Sequence, residues 1–154
     1  MTDRDIAAGG GAFRLRDVHL AFAGDGPEQG NLKSLAKTLG VSERVHFLGH
    51  LDDMPSFYRA VDLVCLPSLA EGLPLSLLEA QASGVRVVAC DVGAVSEAVC
   101  GVTGTLIPKE DISALTNALL EALDSRSRLS PRIFATKVAD RTRMIERYEA
   151  VMGL

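Results

Sequence analysis

No apolar run in these 154 residues approaches the 18 or so that a membrane-spanning helix needs. The N-terminus, Met1-Thr-Asp-Arg-Asp5, has no apolar core of the kind that marks a secretory leader. Neither membrane insertion nor secretion is predicted. Lysines and arginines do not cluster with interleaved aromatics, and the net charge is −4, so nucleic acid is excluded as a partner. Cysteines are few: Cys65, Cys90 and Cys100 are too sparse and irregular for a disulfide framework or a zinc site, and two lie in apolar, strand-like runs. They predict reduced core residues of a cytoplasmic protein. The glycine-rich loop Gly24-Asp-Gly26-Pro-Glu-Gln-Gly30 has Gln29 where a dinucleotide fingerprint needs its third glycine, and it lacks the Lys-Ser/Thr ending of a P-loop. NAD and ATP sites are disfavoured there, and the glycines could serve simply to turn the chain from strand to helix.

The composition that remains, 47% hydrophobic and 23% charged, is that of a globular domain with a full core. Strands are predicted at Asp17 to Ala23, Val45 to Leu48, Leu63 to Leu66, Val85 to Ala89 and Gly104 to Ile107. Between them lie helical stretches: Glu28 to Leu39, Met54 to Ala60, Pro74 to about Ser83, and Val95 to Val99. Two more follow, one capped by Asp111 with a face of Ile112, Leu115, Leu119 and Leu123, and one from Pro131 to about Val151 bearing Phe134, Val138, Ile145, Tyr148 and Met152. Strands that alternate with helices and read as nearly continuous apolar runs imply a parallel sheet covered on both faces. The predicted fold is therefore a Rossmann-like, doubly wound α/β domain over 17–154, preceded by an irregular segment, 1–16.

Within that pattern the segment Glu71-Gly-Leu-Pro-Leu-Ser-Leu-Leu-Glu79 stands out. Pro74 suits the first turn of a helix, where its missing N–H is no loss. The free N–H groups of Gly72, Leu73, Leu75 and Ser76, with the positive end of the helix dipole, favour a phosphate. A carboxylate accepts hydrogen bonds but cannot donate them, so Glu79 could hold a vicinal diol such as a ribose edge. Glu79 could equally be a solvated acid that complements the dipole. The sheet architecture favours a site, because ligands bind beyond the carboxyl ends of the strands, where the Gly24 and Glu71 loops both fall.

Three runs carry a family resemblance: LAFAGDGPEQGNLKSLAKTLGVSERVHFLGHLDD from Leu20, VDLVCLPSLAEGLPLSLLEAQASGVRVVACDVGAVSEAV from Val61, and GVTGTLIP from Gly101. In this order they resemble the C-terminal half of a family 4 retaining glycosyltransferase of the GT-B fold, from about Asp17 to Leu123. The resemblance implies a nucleotide-diphosphate sugar as donor substrate, no other cofactor and no metal. It implies that Glu71 acts as the catalytic contact to the donor sugar, that the amides of Gly72, Leu73 and Leu75 hold the diphosphate, and that Glu79 binds ribose. Leu51 matches a position whose main chain recognises the base, with Asp53 beside it, and Gly24 and Gly26 match the loop near the nucleotide.

The family's opening strand, with an Arg and a Lys that grip the diphosphate, has no counterpart before Asp17, so the sheet is expected to lack its usual first strand. An N-terminal acceptor domain or a partner chain is the implied complement, with a glycan or lipid as acceptor and any membrane contact peripheral, through that domain. The alternative to a hexosyl-transferring enzyme is a non-catalytic nucleotide-sugar-binding module that works with another chain.

Overall fold

A computed structural model of the chain describes residues 6–8, 11–13, 18–125 and 129–152. It divides into two compact units, Met1–Met54 and Pro55–Leu154.

In the first unit two short strands, β1 (Ile6–Ala8) and β2 (Gly11–Phe13), pair antiparallel with Ile6 opposite Phe13. The segment predicted to be irregular thus contains a hairpin. Strand β3 (Leu20–Ala23) leads into helix α1 (Gln29–Thr38), and a single 3-10 turn, Ser42–Arg44, returns the chain to β4 (Val45–Gly49), parallel to β3. Phe22 and Phe47 stack across the two strands with ring centroids 5.1 Å apart, and Lys33 lies over the Phe47 ring. The apolar stripe expected on α1 is only partly covered: Ala36 is buried, whereas Leu35 and Leu39 are about half exposed.

The second unit opens with α2 (Met54–Ala60) and carries a three-stranded parallel sheet, β5 (Leu63–Leu66), β6 (Arg86–Cys90) and β7 (Thr105–Ile107), with β6 central. Between the strands run α3 (Leu75–Ala82) and the short α4 (Val95–Ala98); α5 (Ile112–Asp124), α6 (Arg132–Val138) and α7 (Arg141–Met152) follow. Successive side chains of a strand face opposite sides of the sheet. All of Val87, Val88, Ala89 and Cys90 are buried, so β6 is covered on both faces. Val88 and Cys90 join Ile107 and Ala118 in a cluster that Leu115, Leu119 and Ala122 of α5 complete, while α3 packs on β5 and β6. This is the predicted Rossmann-like α/β arrangement of parallel strands flanked by helices. Among the described residues β3 has β4 as its one ladder partner and β5 has only β6.

Three expectations are corrected. The core face of α5 is Ala114, Leu115, Ala118, Leu119 and Ala122, whereas Ile112 is 79% exposed and Leu123 also faces outward. A four-residue step overshoots the 3.6-residue turn, so Ala122 takes the place expected of Leu123. The long final helix is two helices, because Asp140 accepts a hydrogen bond from the Thr142 amide and so caps a fresh start. Of its expected apolar face, Phe134 is half-buried and Val138, Ile145 and Met152 are exposed, while the Tyr148 side chain lies outside the described residues. Helix α3 begins at Leu75, with Pro74 as its extended N-cap (φ −76, ψ 101).

Helix α3 is pinned through its C-terminal half. At its C-terminus Gly84, at φ +91, lets the chain turn so that its N–H reaches the Gln81 carbonyl and that of Val85 reaches Ala80. The guanidinium of Arg132 donates to the Ser83 carbonyl at 3.3 Å, a cation at the negative end of the helix. In its last turn, fully buried Gln81 donates to the carbonyls of Leu77 and Ala98 and accepts from the Cys100 amide at 2.8 Å.

An unmade hydrogen bond on a buried group costs roughly 1–3 kcal/mol. Gln81→Leu orphans the Ala98 carbonyl and the Cys100 amide together, and is expected to lower the unfolding free energy in urea by about 2–4 kcal/mol. A change below about 0.5 kcal/mol would show that the amide does not hold the helix.

Candidate functional site

The N-terminus of α3 is open. Pro74 has no N–H to offer, and the Leu77 amide turns back to the Pro74 carbonyl at 3.2 Å. Among the described residues the amides of Gly72, Leu73, Leu75 and Ser76 have no acceptor within the chain. Leu77, Leu78, Ala80 and Gln81 are the buried residues of the helix, which leaves Leu75, Ser76, Glu79 and Ala82 on an outward stripe. Residues four apart lie on one face, and helical side chains lean toward the N-terminus. The Glu79 side chain therefore rises from one turn inside the helix toward the end where the Leu75 and Ser76 amides are free.

Glu79 is held from the side by Tyr58 of α2, whose hydroxyl donates to Oε2 at 3.1 Å. The Tyr58 ring is buried at 3% exposure. Burial, and then the negative charge and hydrogen bond of Glu79, push the phenol up to about 12. It is therefore a neutral donor at any ordinary pH. No motif or spacing in the sequence marks Tyr58, because its partner is 21 residues away and the pairing depends on how α2 packs.

Glu71 occupies different ground. It is half-buried in the loop between β5 and α3, and it lines an open cavity of about 560 Å³ together with Asp91, Val92, Gly93, Pro108 and Lys109. This cavity lies beyond the carboxyl ends of β5, β6 and β7, where the architecture is expected to bind ligands. Gly93 sits at φ +55 directly beneath the Glu71 carbonyl, into which any Cβ would run, so the two loops are fitted to each other at this point. Glu79 is not part of the cavity lining. The two carboxylates are thus displayed at two places around the loop and the helix start: Glu71 in the cavity, Glu79 on the outer stripe of α3.

The remaining predicted site residues belong to the first unit, at the carboxyl ends of β3 and β4. Gly24 donates to the Gly49 carbonyl at 2.7 Å, and the Asp25 carboxylate accepts from the His50 amide, so the two loops are tied together. Gly26 is exposed in that loop, Leu51 is half-buried and Asp53 is exposed. His50 lies 3.4 Å from Asp52 on the open surface, and His46 of β4 stacks on His19, just ahead of β3. Among the described residues no group of three or more His, Cys, Asp or Glu could hold a metal ion, and no helix is long and apolar enough to cross a membrane. The three cysteines are free thiols, Cys90 and Cys100 buried and Cys65 half-buried. Burial, and then the neighbouring Cys90, raise the Cys65 thiol to about 11.

A parallel α/β domain with an open helix start framed by two glutamates is of the type that forms the C-terminal half of GT-B enzymes. The model of the glycosyl transferases group 1 family matches residues 11–125, and the chain belongs to that family. It is 40% identical over 122 residues to the lipopolysaccharide core biosynthesis mannosyltransferase LpsB of Rhizobium meliloti, covering 77% of this chain and 33% of LpsB. It is 44% identical over 109 residues to a D-inositol 3-phosphate glycosyltransferase of a Mycobacterium species, covering 66% of this chain and 25% of that protein. Among solved structures it resembles Anabaena HepE in complex with UDP, with a TM-score of 0.74 and 27% identity over 89% of this chain and 41% of HepE. The chain thus spans about a third or less of the length of these curated relatives.

The contact between Tyr58 and Glu79 can be tested without any ligand. The chain has two tyrosines, so a Tyr148→Phe background isolates the phenolate absorbance of Tyr58. Glu79→Gln removes the charge, and the ionisation should fall from about 12 part of the way toward the ordinary value near 10, burial being the larger cause. An unchanged midpoint would show that the two groups do not interact.

Proposed function

We propose that this chain is the donor-binding domain of a hexosyl-transferring, retaining glycosyltransferase, and that it binds a nucleotide-diphosphate sugar. The observation that carries this reading is the geometry of α3: a helix start with unclaimed amides, and an orienting carboxylate one turn further along the same outward stripe. Hydrogen bonds to a charged group contribute roughly 1.5–3 kcal/mol each, against about 0.3–1 kcal/mol for the exposed helix dipole alone. The amides of Gly72, Leu73 and Leu75 hold the diphosphate mainly as donors, with the dipole as a minor aid. Glu79 accepts from the ribose hydroxyls. Glu71 faces the donor sugar from the cavity and supports departure of the diphosphate. The family resemblance also gives Gly24, Gly26, Leu51 and Asp53, in the loops of the first unit, a part in nucleoside recognition.

Membership of a glycosyltransferase family supports this reading, as do the UDP complex of HepE and the two relatives named as a mannosyltransferase and a glycosyltransferase. The acceptor, a glycan or a lipid, belongs to an N-terminal acceptor domain or to a partner chain. If the chain instead acts as a binding module alongside another chain, it will bind donor without transferring sugar.

A thermal-shift screen of UDP-, GDP- and ADP-sugars is the direct test. A ligand at about a hundred times its dissociation constant adds roughly 2.7 kcal/mol of stability, a clear rise in melting temperature. Glu79→Ala should weaken the best of them by about 1–3 kcal/mol in calorimetry. Absence of any shift across the panel, or an unaltered affinity in the variant, would remove the reading. Sugar transfer by the isolated chain would separate enzyme from module.

A further inference from the structure

We propose that Tyr58 is a positioning residue for ribose recognition: its hydroxyl fixes one oxygen of Glu79 so that the other faces outward to accept from a vicinal diol. This deepens the reading above and rests on it. The two side chains meet from different helices, with Tyr58 Oη 3.1 Å from Glu79 Oε2. Among the described residues Tyr58 is the sole hydrogen-bond partner of that carboxylate. An unheld glutamate on an outward helical stripe samples many rotamers, and ordering it on binding is a direct loss of affinity. A tyrosine ring buried at 3% exposure has no such freedom, so it lends its rigidity to the carboxylate.

The chemistry of the pair is matched to that task. A carboxylate has about four acceptor directions and no donor. One direction is taken by the phenol, and the others remain for hydroxyls that donate. The phenol stays protonated to about 12, so it keeps donating wherever the protein is folded and adds no charge beside a diphosphate. The plainer account is that Tyr58 is a core residue whose hydroxyl found the nearest acceptor, as buried tyrosines usually do. On that account Tyr58 has no bearing on how ribose is distinguished from deoxyribose.

The test is calorimetry of the full chain with UDP, GDP and ADP and with their 2′,3′-dideoxy counterparts, on wild type, Tyr58→Phe, Glu79→Ala and the double variant. The preference for the ribonucleotide is read as a ratio of dissociation constants on one preparation, so a fraction of unfolded protein does not alter it. Tyr58→Phe deletes one atom from a ring that stays packed. Three results are expected: Tyr58→Phe weakens the best-bound ribonucleotide about three- to tenfold, leaves its dideoxy counterpart unchanged, and has no further effect once Glu79 is alanine. An unchanged ratio in Tyr58→Phe, or additive losses in the double variant, overturns the positioning role while leaving the site intact, provided Glu79→Ala still lowers the ratio. Loss of the ratio in neither variant, or no nucleotide binding by wild type, overturns the site and this inference together.

Discussion

The buried amide of Gln81 is the constraint from which the site follows. Helix α3 has only eight residues, too short to be stable by propensity, and it stands because its inner face is locked to the second unit. Gln81 satisfies two backbone groups on the far side of that face, the Ala98 carbonyl and the Cys100 amide, at the cost of burying its own side chain completely. A polar residue in that position accepts few alternative registers, because a rotation of the helix would break its two hydrogen bonds to Ala98 and Cys100. With the inner face fixed by Gln81, Leu77 and Leu78, the outward stripe is fixed as well. That stripe is where the free amides and Glu79 lie.

Much of this was legible in the chain. The apolar runs at Leu63 to Leu66 and Val85 to Ala89 read directly as buried parallel strands, and the Asp111 cap is present as an acceptor for the Ala114 amide at 2.8 Å. The start of α3 is not fixed by its sequence, because proline is at home both at the first helical position and just before it; the ψ of 101 at Pro74 decides for the cap. The break at Asp140 was hidden by the unbroken apolar spacing on either side, although an aspartate inside such a run is also a ready helix cap. Which residues of α5 face the sheet depended on the exact pitch and on the neighbouring strands, information that periodicity alone does not hold.

The frame of the candidate site was legible in outline but not in its connections. The spacing of Glu71 and Glu79 revealed a helix start between two acids. It did not reveal that Gly93 receives the Glu71 loop from another crossover, or that Asp91 and Lys109 share the cavity with Glu71. Those relations are created by the order of strands, β5 beside β6 beside β7, which draws together loops far apart in sequence. Tyr58 shows the same thing more sharply, since its ring is fixed by burial and its role by an acceptor on a different helix.

The choice of a phenol beside Glu79 also answers an electrostatic difficulty. A carboxylate and a diphosphate that share one helix start compete for the same positive end, and two unit charges a few ångströms apart repel by about 1 kcal/mol even in bulk water, more where solvent is thinned. An arginine or lysine against Glu79 would cancel the carboxylate's charge, yet it would also draw the diphosphate away from the amides and onto itself. Tyrosine orients the acid without adding a competing cation. On the proposed reading, the separation of one helical turn, about 5.4 Å along the axis, would do the rest, keeping the acid at the hydroxyls and the amides at the anion. The hydroxyls of the sugar ring would thus meet an anionic acceptor, and the phosphates neutral donors, at two ends of a single turn.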